Sequence, residues 1–317
     1  MPLQTIFHKA AALKPGDPVA VVAPAGPFDR DSFERGLAIL AARYRVEYSP
    51  QIFARQRYLA GSDERRAAEL AEVLRDPAVR AVFCARGGYG TMRLLPKLPP
   101  PGEAAGTPST AGRSGHAKAL VGFSDITALH QWYQRAGLVS IHGPVLTQLG
   151  RVPVSTHTRL FSLLESGVPA DPLRGTETLV TGSAEGPLLG GNLSVFTRLL
   201  GTPFMPSLEG AVLMLEDVGE RPYRLDRMWT HLELAGVFRS IRGIVLGSFT
   251  SCEEREADYT SLDVLRELVV ASGLPCASGF PMGHGDVNEP VPLGVRVRLD
   301  AGARTLTFLE PAVAVSA

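Results

Sequence analysis

The sequence predicts an α/β protein with a parallel-sheet domain in the first half and a smaller mixed β/α domain in the second. Strand-like apolar runs alternate with segments of helical periodicity, which is the order of elements in a parallel sheet. A glycine-rich turn and a serine follow the ends of two predicted strands, where open sheets of this kind bind ligands. A chain of 317 residues is long enough for two domains, and we expect these to span residues 1–170 and 171–317.

Strand and helix signals follow one another directly in the first half. The first predicted helix carries Asp31 three residues before Glu34, a variant of the capping box. Predicted strands cover residues 19–23, 79–84 and 119–121. Three predicted helices have apolar residues at helical spacing, namely Phe33, Leu37 and Leu40 in the first, Leu70, Val73 and Leu74 in the second, and Ile126, Leu129 and Tyr133 in the third.

Two stretches of the chain interrupt this pattern. Residues 99–117 are almost entirely Pro, Gly, Ser, Thr and Ala with scattered charges, and we expect a mobile surface loop there. The pattern also weakens over about 149–185, which places the domain boundary near residue 170. The second domain then contains predicted strands at 211–215, 241–246, 295–299 and 305–309, and a helix with Leu225, Met228, Trp229 and Leu232 on its apolar face.

The composition excludes several classes of partner. Lys+Arg and Asp+Glu number 32 each, so no general attraction to nucleic acid or anionic membranes is expected. The first 18 residues lack a continuous apolar segment, and no later stretch is long enough to span a bilayer. The three cysteines lack the spacing of a disulfide framework or a zinc site. We therefore expect a soluble cytoplasmic protein, without a disulfide framework or zinc site, that acts on a small molecule or peptide. No cofactor is expected.

Ser124 stands at the junction of a predicted strand and a predicted helix, between Phe123 and Asp125. Such a turn lifts the serine out of the sheet and directs the first free N–H groups of the helix toward whatever the serine attacks. This is the position of a nucleophile in acyl-enzyme chemistry. Serine is also a common N-cap, and aspartate suits the first turn of a helix for electrostatic reasons alone, so a capping role is the alternative.

The turn at residues 86–90, Arg-Gly-Gly-Tyr-Gly, follows another predicted strand. It lacks the Lys-Ser/Thr ending of a phosphate loop and the glycine spacing of a dinucleotide fingerprint. Glycines let a main chain approach a reacting carbonyl closely and adopt positive φ. We therefore predict that the N–H groups of Gly88 and Asp125 form a two-donor oxyanion hole. A tight turn selected only for its geometry is the alternative.

A serine nucleophile requires a base, and the histidines differ in their context. His284 lies in a glycine-flanked loop, 281–286, where helix packing does not explain an imidazole. His142 also ends a predicted strand and is the main rival. His130 falls within the predicted helix after the serine, which suits an ordinary core or helix-surface residue.

The base must itself be oriented by a carboxylate. Glu216 ends the predicted strand 211–215, where sheet packing does not require a charge. Asp217, Glu220 and Asp226 compete for the role. Because the serine and these partners come from different predicted domains, the site would lie in the cleft between them.

Together these residues resemble the LD-carboxypeptidase family of serine peptidases, which also includes the microcin-immunity peptidases. The resemblance runs from about residue 19 to residue 299, in the family's order. Any one block would be unspecific, whereas the set is specific. The matching segments are Val22-Ala23-Pro24-Ala25-Gly26, Arg86-Gly87-Gly88-Tyr89-Gly90, Gly122-Phe123-Ser124-Asp125-Ile126-Thr127, Gly190-Gly191-Asn192-Leu193, Leu215-Glu216-Asp217-Val218-Gly219-Glu220 and Gly283-His284-Gly285.

The resemblance implies a triad of Ser124, Glu216 and His284, an oxyanion hole at the glycine turn, and no metal. It implies an N-terminal flavodoxin-like or amidotransferase-like domain joined to a C-terminal β/α domain, and a homodimer. The reaction typical of the family removes the terminal D-alanine from the murein tetrapeptide during cytoplasmic cell-wall recycling. The microcin-immunity members cleave peptide–nucleotide conjugates with the same triad, which is the alternative function.

Two residues are candidates for substrate contacts. Arg86, beside the glycine turn, could bind the free carboxylate of a peptide through bidentate hydrogen bonds. Asn192 follows two glycines, in a segment that we interpret as a pocket loop, with a plain structural turn as the alternative.

Two functions of other classes stay open. One is a glutamine-amidotransferase-like or esterase activity, for which the nucleophile is the discriminator, because amidotransferases carry cysteine where this chain has Ser124. A non-catalytic binding module on the same scaffold would leave Ser124 unreactive toward covalent serine reagents and would turn over no peptide.

Overall fold

The computed structural model describes residues 6–100, 117–254 and 256–315, which are built around two β-sheets. The strands, in chain order, are β1 (Pro18–Val22), β2 (Arg45–Tyr48), β3 (Ala81–Cys84), β4 (Ala119–Gly122), β5 (Ser140–His142), β6 (Leu173–Arg174), β7 (Glu177–Val180), β8 (Ser183–Asn192), β9 (Val212–Val218), β10 (Gly243–Thr250), β11 (Cys276–Ser278), β12 (Val291–Leu293), β13 (Arg296–Asp300) and β14 (Thr305–Phe308).

The helices cover both sheets. In chain order they are α1 (Arg30–Ala41), α2 (Asp63–Arg75), α3 (Thr127–Arg135), α4 (Leu146–Leu149), α5 (Val154–Glu165), α6 (Leu193–Thr197), α7 (Pro222–Leu234), α8 (Val237–Ser240) and α9 (Ser261–Ser272). Within the described part of the chain, no helix combines the length and the apolar character that crossing a bilayer requires.

The first sheet has the strand order β12-β5-β4-β3-β1-β2. Strands β1 to β5 are parallel, whereas β12 pairs antiparallel with β5. The order 2-1-3-4-5 is that of flavodoxin-like sheets, which bind ligands at the carboxyl ends of their strands. The predicted fold class of the first half is therefore confirmed.

The second sheet is mixed, with the order β6-β14-β13-β8-β9-β10-β11-β7. Its central strands β8 to β11 are parallel, and antiparallel strands flank them on both sides. The strands predicted at 295–299 and 305–309 correspond to β13 and β14, which form an antiparallel pair.

Burial explains the central strands of the first sheet. β1, β3 and β4 consist mostly of Val, Ala and other apolar residues and are buried along nearly their whole length, as parallel strands covered on both faces must be. The predicted capping box at Asp31 is wrong. Asp29 is the N-cap of α1, because it has the extended backbone of that position and its carboxylate accepts the N–H of Ser32 at 2.7 Å.

The division into domains at residue 170 stays a proposal. β12 belongs to the second half of the chain but pairs with β5, so the chain returns once to the first sheet before it continues into β13. The loop predicted between Pro99 and Ala117 falls almost entirely on residues 101–116, outside the described residues.

We predict that Gly36→Ala destabilises the protein, although alanine is the better helix former by about 1 kcal/mol. Gly36 lies in α1, and a Cβ there would lie 2.0 Å from the carbonyl oxygen of Leu146 in α4, so the two helices would have to separate. We expect a loss of about 1–3 kcal/mol, measured as a lower midpoint of urea unfolding. Ala38→Gly, at an exposed position of the same helix, serves as the control for propensity alone. An unchanged or higher midpoint for Gly36→Ala would contradict the packing argument.

Candidate active site

Ser124 occupies a strained turn between β4 and α3. It begins a single 3-10 turn, Ser124–Ile126, and has a φ of 65°, a left-handed conformation that is uncommon for a residue with a Cβ. Its side chain does not cap a helix, since the N-cap of α3 is Ile126 and neither turn has a side-chain cap. The capping alternative is therefore wrong. The geometry is instead that of a nucleophile elbow, where the hydroxyl is exposed at the end of a strand.

Three side chains converge at this turn through two hydrogen bonds. The Ser124 hydroxyl donates to Nε2 of His284 at 3.1 Å, and Nδ1–H of His284 donates to Oε2 of Glu216 at 2.6 Å. Glu216 belongs to β9 of the second sheet, and His284 lies on the loop between β11 and β12. The structure thus brings together the serine, histidine and glutamate singled out from the sequence, in the arrangement of a nucleophile, its base and the carboxylate that orients the base.

The environment of His284 sets its protonation. Burial by itself would lower the pKa of His284, but the hydrogen bond and charge of Glu216, together with the charge of Asp217, raise it above its ordinary value. Glu216 is fully buried, and among the described residues its Oε1 has no hydrogen-bond partner. The imidazole is therefore the main group that compensates the negative charge of the buried carboxylate. This charge stabilises the imidazolium that forms when a serine is deprotonated.

The rival histidines do not reach the serine. His130 is buried, donating from Nε2 to the carbonyl oxygen of Gly122 and accepting from the Ser140 hydroxyl, each at 2.8 Å, and burial lowers the pKa of His130 to about 4. His142 is also buried, and its ring packs edge-on against Phe123. Neither of its ring nitrogens has a partner among the described residues, and burial lowers its pKa well below the usual value. Both are neutral core residues.

The rival carboxylates are engaged elsewhere. Asp217 is buried, and burial with the neighbouring charge of Glu216 raises its pKa to about 6 against the effect of its hydrogen bonds. Glu220 pairs with Arg224, and Asp226 accepts from Thr230 along α7. In the described part of the chain, no three His, Cys, Asp or Glu side chains are grouped as a metal site would require.

The glycine turn lies so close to the serine that a side chain at Gly87 would not fit without a shift. A Cβ on Gly87 would lie 2.9 Å from Cβ of Ser124. The turn is held from two sides: the Gly87 carbonyl accepts the N–H of Gly26 at 3.1 Å, and the buried carboxylate of Asp125 accepts the N–H of Thr91 at 2.8 Å. The aspartate therefore has a structural function that the sequence did not indicate.

The two predicted oxyanion donors are available for a ligand. Among the described residues, neither the N–H of Gly88 nor that of Asp125 donates to a protein acceptor. Gly88 has a φ of 108°, which only glycine adopts readily. Their joint function as an oxyanion hole stays a prediction.

The predicted substrate-binding residues differ in their surroundings. Arg86 is exposed, and one of its N–H groups donates to the carbonyl oxygen of Pro27 beside the turn. Asn192 is buried with both polar atoms engaged: Oδ1 accepts the N–H of Val195, which caps α6, and Nδ2 donates to Asp217 at 2.9 Å. Asn192 thus has contacts typical of a structural residue.

Sequence reasoning missed two residues that hold His284. The ring of Phe123, next to the serine, packs against the imidazole with ring centroids 4.7 Å apart. The side chain of Asn288 accepts the N–H of Gly283 at 3.0 Å and so fixes the loop that carries the histidine. An amide three residues after the Gly-His-Gly segment is the one available signal, since such side chains often stabilise loops.

Two family profiles match this chain. The LD-carboxypeptidase N-terminal domain profile matches residues 19–143, and the C-terminal domain profile matches residues 185–299. A protein of Bacillus subtilis named probable murein peptide carboxypeptidase is 37% identical over 95% of this chain and 94% of its own length.

Two solved structures share the architecture. The muramoyltetrapeptide carboxypeptidase of Oxalobacter formigenes is 28% identical, with a TM-score of 0.80 over 92% of this chain and 97% of its own. The microcin C7 self-immunity protein MccF, solved with glutamyl sulfamoyl guanosine, is 23% identical, with a TM-score of 0.84 over 96% of this chain and 99% of its own. At that identity the second likeness concerns the fold alone.

We predict that Glu216→Gln lowers the pKa of His284. The substitution removes the negative charge that raises this pKa, so that the lowering of the pKa by burial is less offset. The measurement is an NMR titration of the imidazole Cε1–H, assigned by its loss in His284→Ala. Asp226→Asn, which changes an exposed carboxylate, should leave the midpoint where it is. An equal midpoint in Glu216→Gln and the wild type would mean that the glutamate does not control the base.

Proposed function

Because the chain belongs to the LD-carboxypeptidase family of serine-type enzymes, we propose that it releases the terminal D-alanine of the murein tetrapeptide through an acyl-enzyme at Ser124. One observation carries the proposal: a serine in a strained elbow shares a histidine with a buried glutamate. The names of the Bacillus and Oxalobacter proteins support the peptide class.

The proposed mechanism follows from the two hydrogen bonds. His284 takes the proton of Ser124 through Nε2, and the serine oxygen attacks the carbonyl carbon of the bond to D-alanine. Glu216 stabilises the imidazolium and holds its orientation. His284 then gives the proton to the leaving amine, which breaks the peptide bond and leaves the acyl-enzyme. A water molecule, deprotonated by the same histidine, hydrolyses the ester and frees the serine.

We assign oxyanion stabilisation to the N–H groups of Gly88 and Asp125. Their availability and the close approach of the turn to Ser124 support this assignment. Donors of this kind act on charge that appears only in the transition state, and the loss of one typically costs about 10²–10³-fold in kcat.

The cellular setting is part of the proposal. The family resemblance leads us to propose a cytoplasmic homodimer that acts in cell-wall recycling, with a short peptide as its partner. A peptidase of the microcin-immunity type, acting on a peptide–nucleotide conjugate, is the second candidate, and the fold shared with MccF is the observation that supports it. We favour the murein peptide because two proteins above 25% identity are named for such a peptide, the probable murein peptide carboxypeptidase of Bacillus and the muramoyltetrapeptide carboxypeptidase of Oxalobacter.

The decisive assay is D-alanine release from the murein tetrapeptide that ends in diaminopimelyl-D-alanine. We expect release by the wild type and a loss of at least about 10³-fold in Ser124→Ala, since the residual rate comes from binding and the oxyanion donors alone. Ser155→Ala, at an exposed position of α5, should keep full activity. Circular dichroism would establish that the inactive variant is folded.

The contrary results separate the alternatives. A folded wild type that releases no D-alanine but cleaves a peptide–nucleotide conjugate in a Ser124-dependent way would replace the murein substrate. A protein that cleaves neither, and whose Ser124 resists covalent serine reagents, would be a binding module.

Arg86 provides a separate prediction about substrate recognition. If its exposed guanidinium binds the peptide's C-terminal carboxylate, Arg86→Ala should raise KM about 10-fold or more with little change in kcat, because hydrogen bonds to charged groups contribute about 1.5–3 kcal/mol. The same tetrapeptide with a C-terminal amide serves as the control, since its KM should hardly respond. An unchanged KM for the free acid would remove Arg86 from the binding site.

A further inference from the structure

We propose that Thr127 is a positioning residue that sets the distance between Ser124 and the His284–Glu216 pair, by anchoring the nucleophile's helix to the end of β8. The inference rests on the proposed function, because it concerns the rate of the same reaction. It assigns the Gly-Gly-Asn segment 190–192 to this anchor rather than to a pocket loop.

The first observation is a hydrogen bond between α3, the helix that follows the serine, and β8 of the second sheet. Thr127, the first residue of α3, lies three positions after the nucleophile, and its Oγ1 accepts the N–H of Asn192 at 2.9 Å. Asn192 is the last residue of β8, and in the parallel register it is the direct partner of Glu216 on β9. One hydrogen bond therefore connects the serine's helix to the strand next to the catalytic glutamate.

The second observation is how closely α3 and β8 approach. A Cβ on Gly191 would lie 2.5 Å from the Thr127 hydroxyl oxygen, and Gly191 has a φ of 137°. One helical turn further along, Nε2 of Gln131 donates to the carbonyl oxygen of Gly190 at 2.9 Å. Thr127 and Gln131 are both fully buried. Two hydrogen bonds on one face of α3 thus hold it against a strand whose glycines admit no side chain there.

The third observation is that the same segment is also hydrogen-bonded to β9, the strand that carries Glu216. The side chain of Asn192 donates to Asp217 at 2.9 Å, and Asp217 also accepts the N–H of Ser194 at 2.8 Å. Asp217 follows Glu216 directly on β9, and its side chain points to the opposite face of the sheet. The segment 190–192 is therefore fixed on one side to the nucleophile's helix and on the other to the strand of the glutamate.

This position matters because the reacting groups come from distant parts of the chain. Ser124 and His284 are 160 positions apart, so noncovalent contacts alone hold their separation. A misplacement of about 1 Å can cost on the order of 10²-fold in rate. A contact that fixes the helix beside the serine acts on kcat, whereas a contact with bound substrate would act on KM.

The test compares three variants in the D-alanine release assay. Thr127→Val keeps the shape of the side chain but leaves the N–H of Asn192 without its acceptor, so kcat should fall about 10- to 100-fold while KM changes less than about 2-fold. Thr127→Ser restores the oxygen and should keep kcat within about 3-fold of the wild type. Thr197→Val is the matched control, because Thr197 is equally buried but its hydroxyl donates within its own helix to Leu193 at 2.9 Å.

Three results would overturn the proposal. The first is that Thr127→Val keeps the kcat of the wild type. The second is that Thr127→Val loses activity only through a rise in KM. The third is that Thr197→Val loses as much kcat as Thr127→Val, which would indicate general destabilisation.

A second readout does not depend on the substrate. If the wild type releases no D-alanine, the proposed function fails, and the anchor is judged by the Cε1–H shift of His284. Thr127→Val should move this signal toward its position in Ser124→Ala, where the hydroxyl contact with the imidazole is absent. A signal that coincides with the wild type's in Thr127→Val would overturn the anchor in either case.

Discussion

The hydrogen bond between His284 and Glu216 is the interaction on which the rest of the site depends. A fully buried carboxylate is costly unless a partner compensates its charge, and the imidazole is that partner. The same bond leaves Nε2 free to face Ser124. Since the carboxylate and the serine belong to different sheets, the fold must hold two sheets in a fixed relation for one side chain to contact both.

Close backbone approach maintains that relation. A Cβ at Gly87 would collide with the serine, one at Gly191 with Thr127, and one at Gly283 would lie 2.5 Å from Oε2 of Glu216. Each of these glycines directly precedes or faces a residue of the site. The backbone therefore approaches the residues of the candidate site at distances that a side chain would not permit, which accounts for the glycine-rich blocks on which the family resemblance depends.

The sequence predicts strands and candidate site residues where a local apolar pattern ends in a polar residue that sheet packing does not require. Apolar runs identify β1, β3 and β4, and a polar residue at the end of an apolar strand marks Ser124 and Glu216, because sheet packing does not explain either. The choice of Asp31 as helix cap failed, since two acids stand close together and only the backbone conformation selects Asp29. The orientation of the Asn192 side chain depends on its hydrogen bond to Asp217 on the neighbouring strand. The periodicity of the sequence does not reveal such a contact, because the two residues are far apart in the chain.

The return of the chain through β12 has a consequence for biosynthesis. On the ribosome the first sheet acquires five of its strands early, but the edge at β5 stays open until residues 291–293 have been made. An unpaired edge is a template for association with other chains, and contacts between distant residues form slowly because they require long loops to close. The last strand of the first sheet and the histidine of the candidate site emerge within ten residues of one another, so the nascent chain completes the edge of the sheet and the candidate site in the same late step.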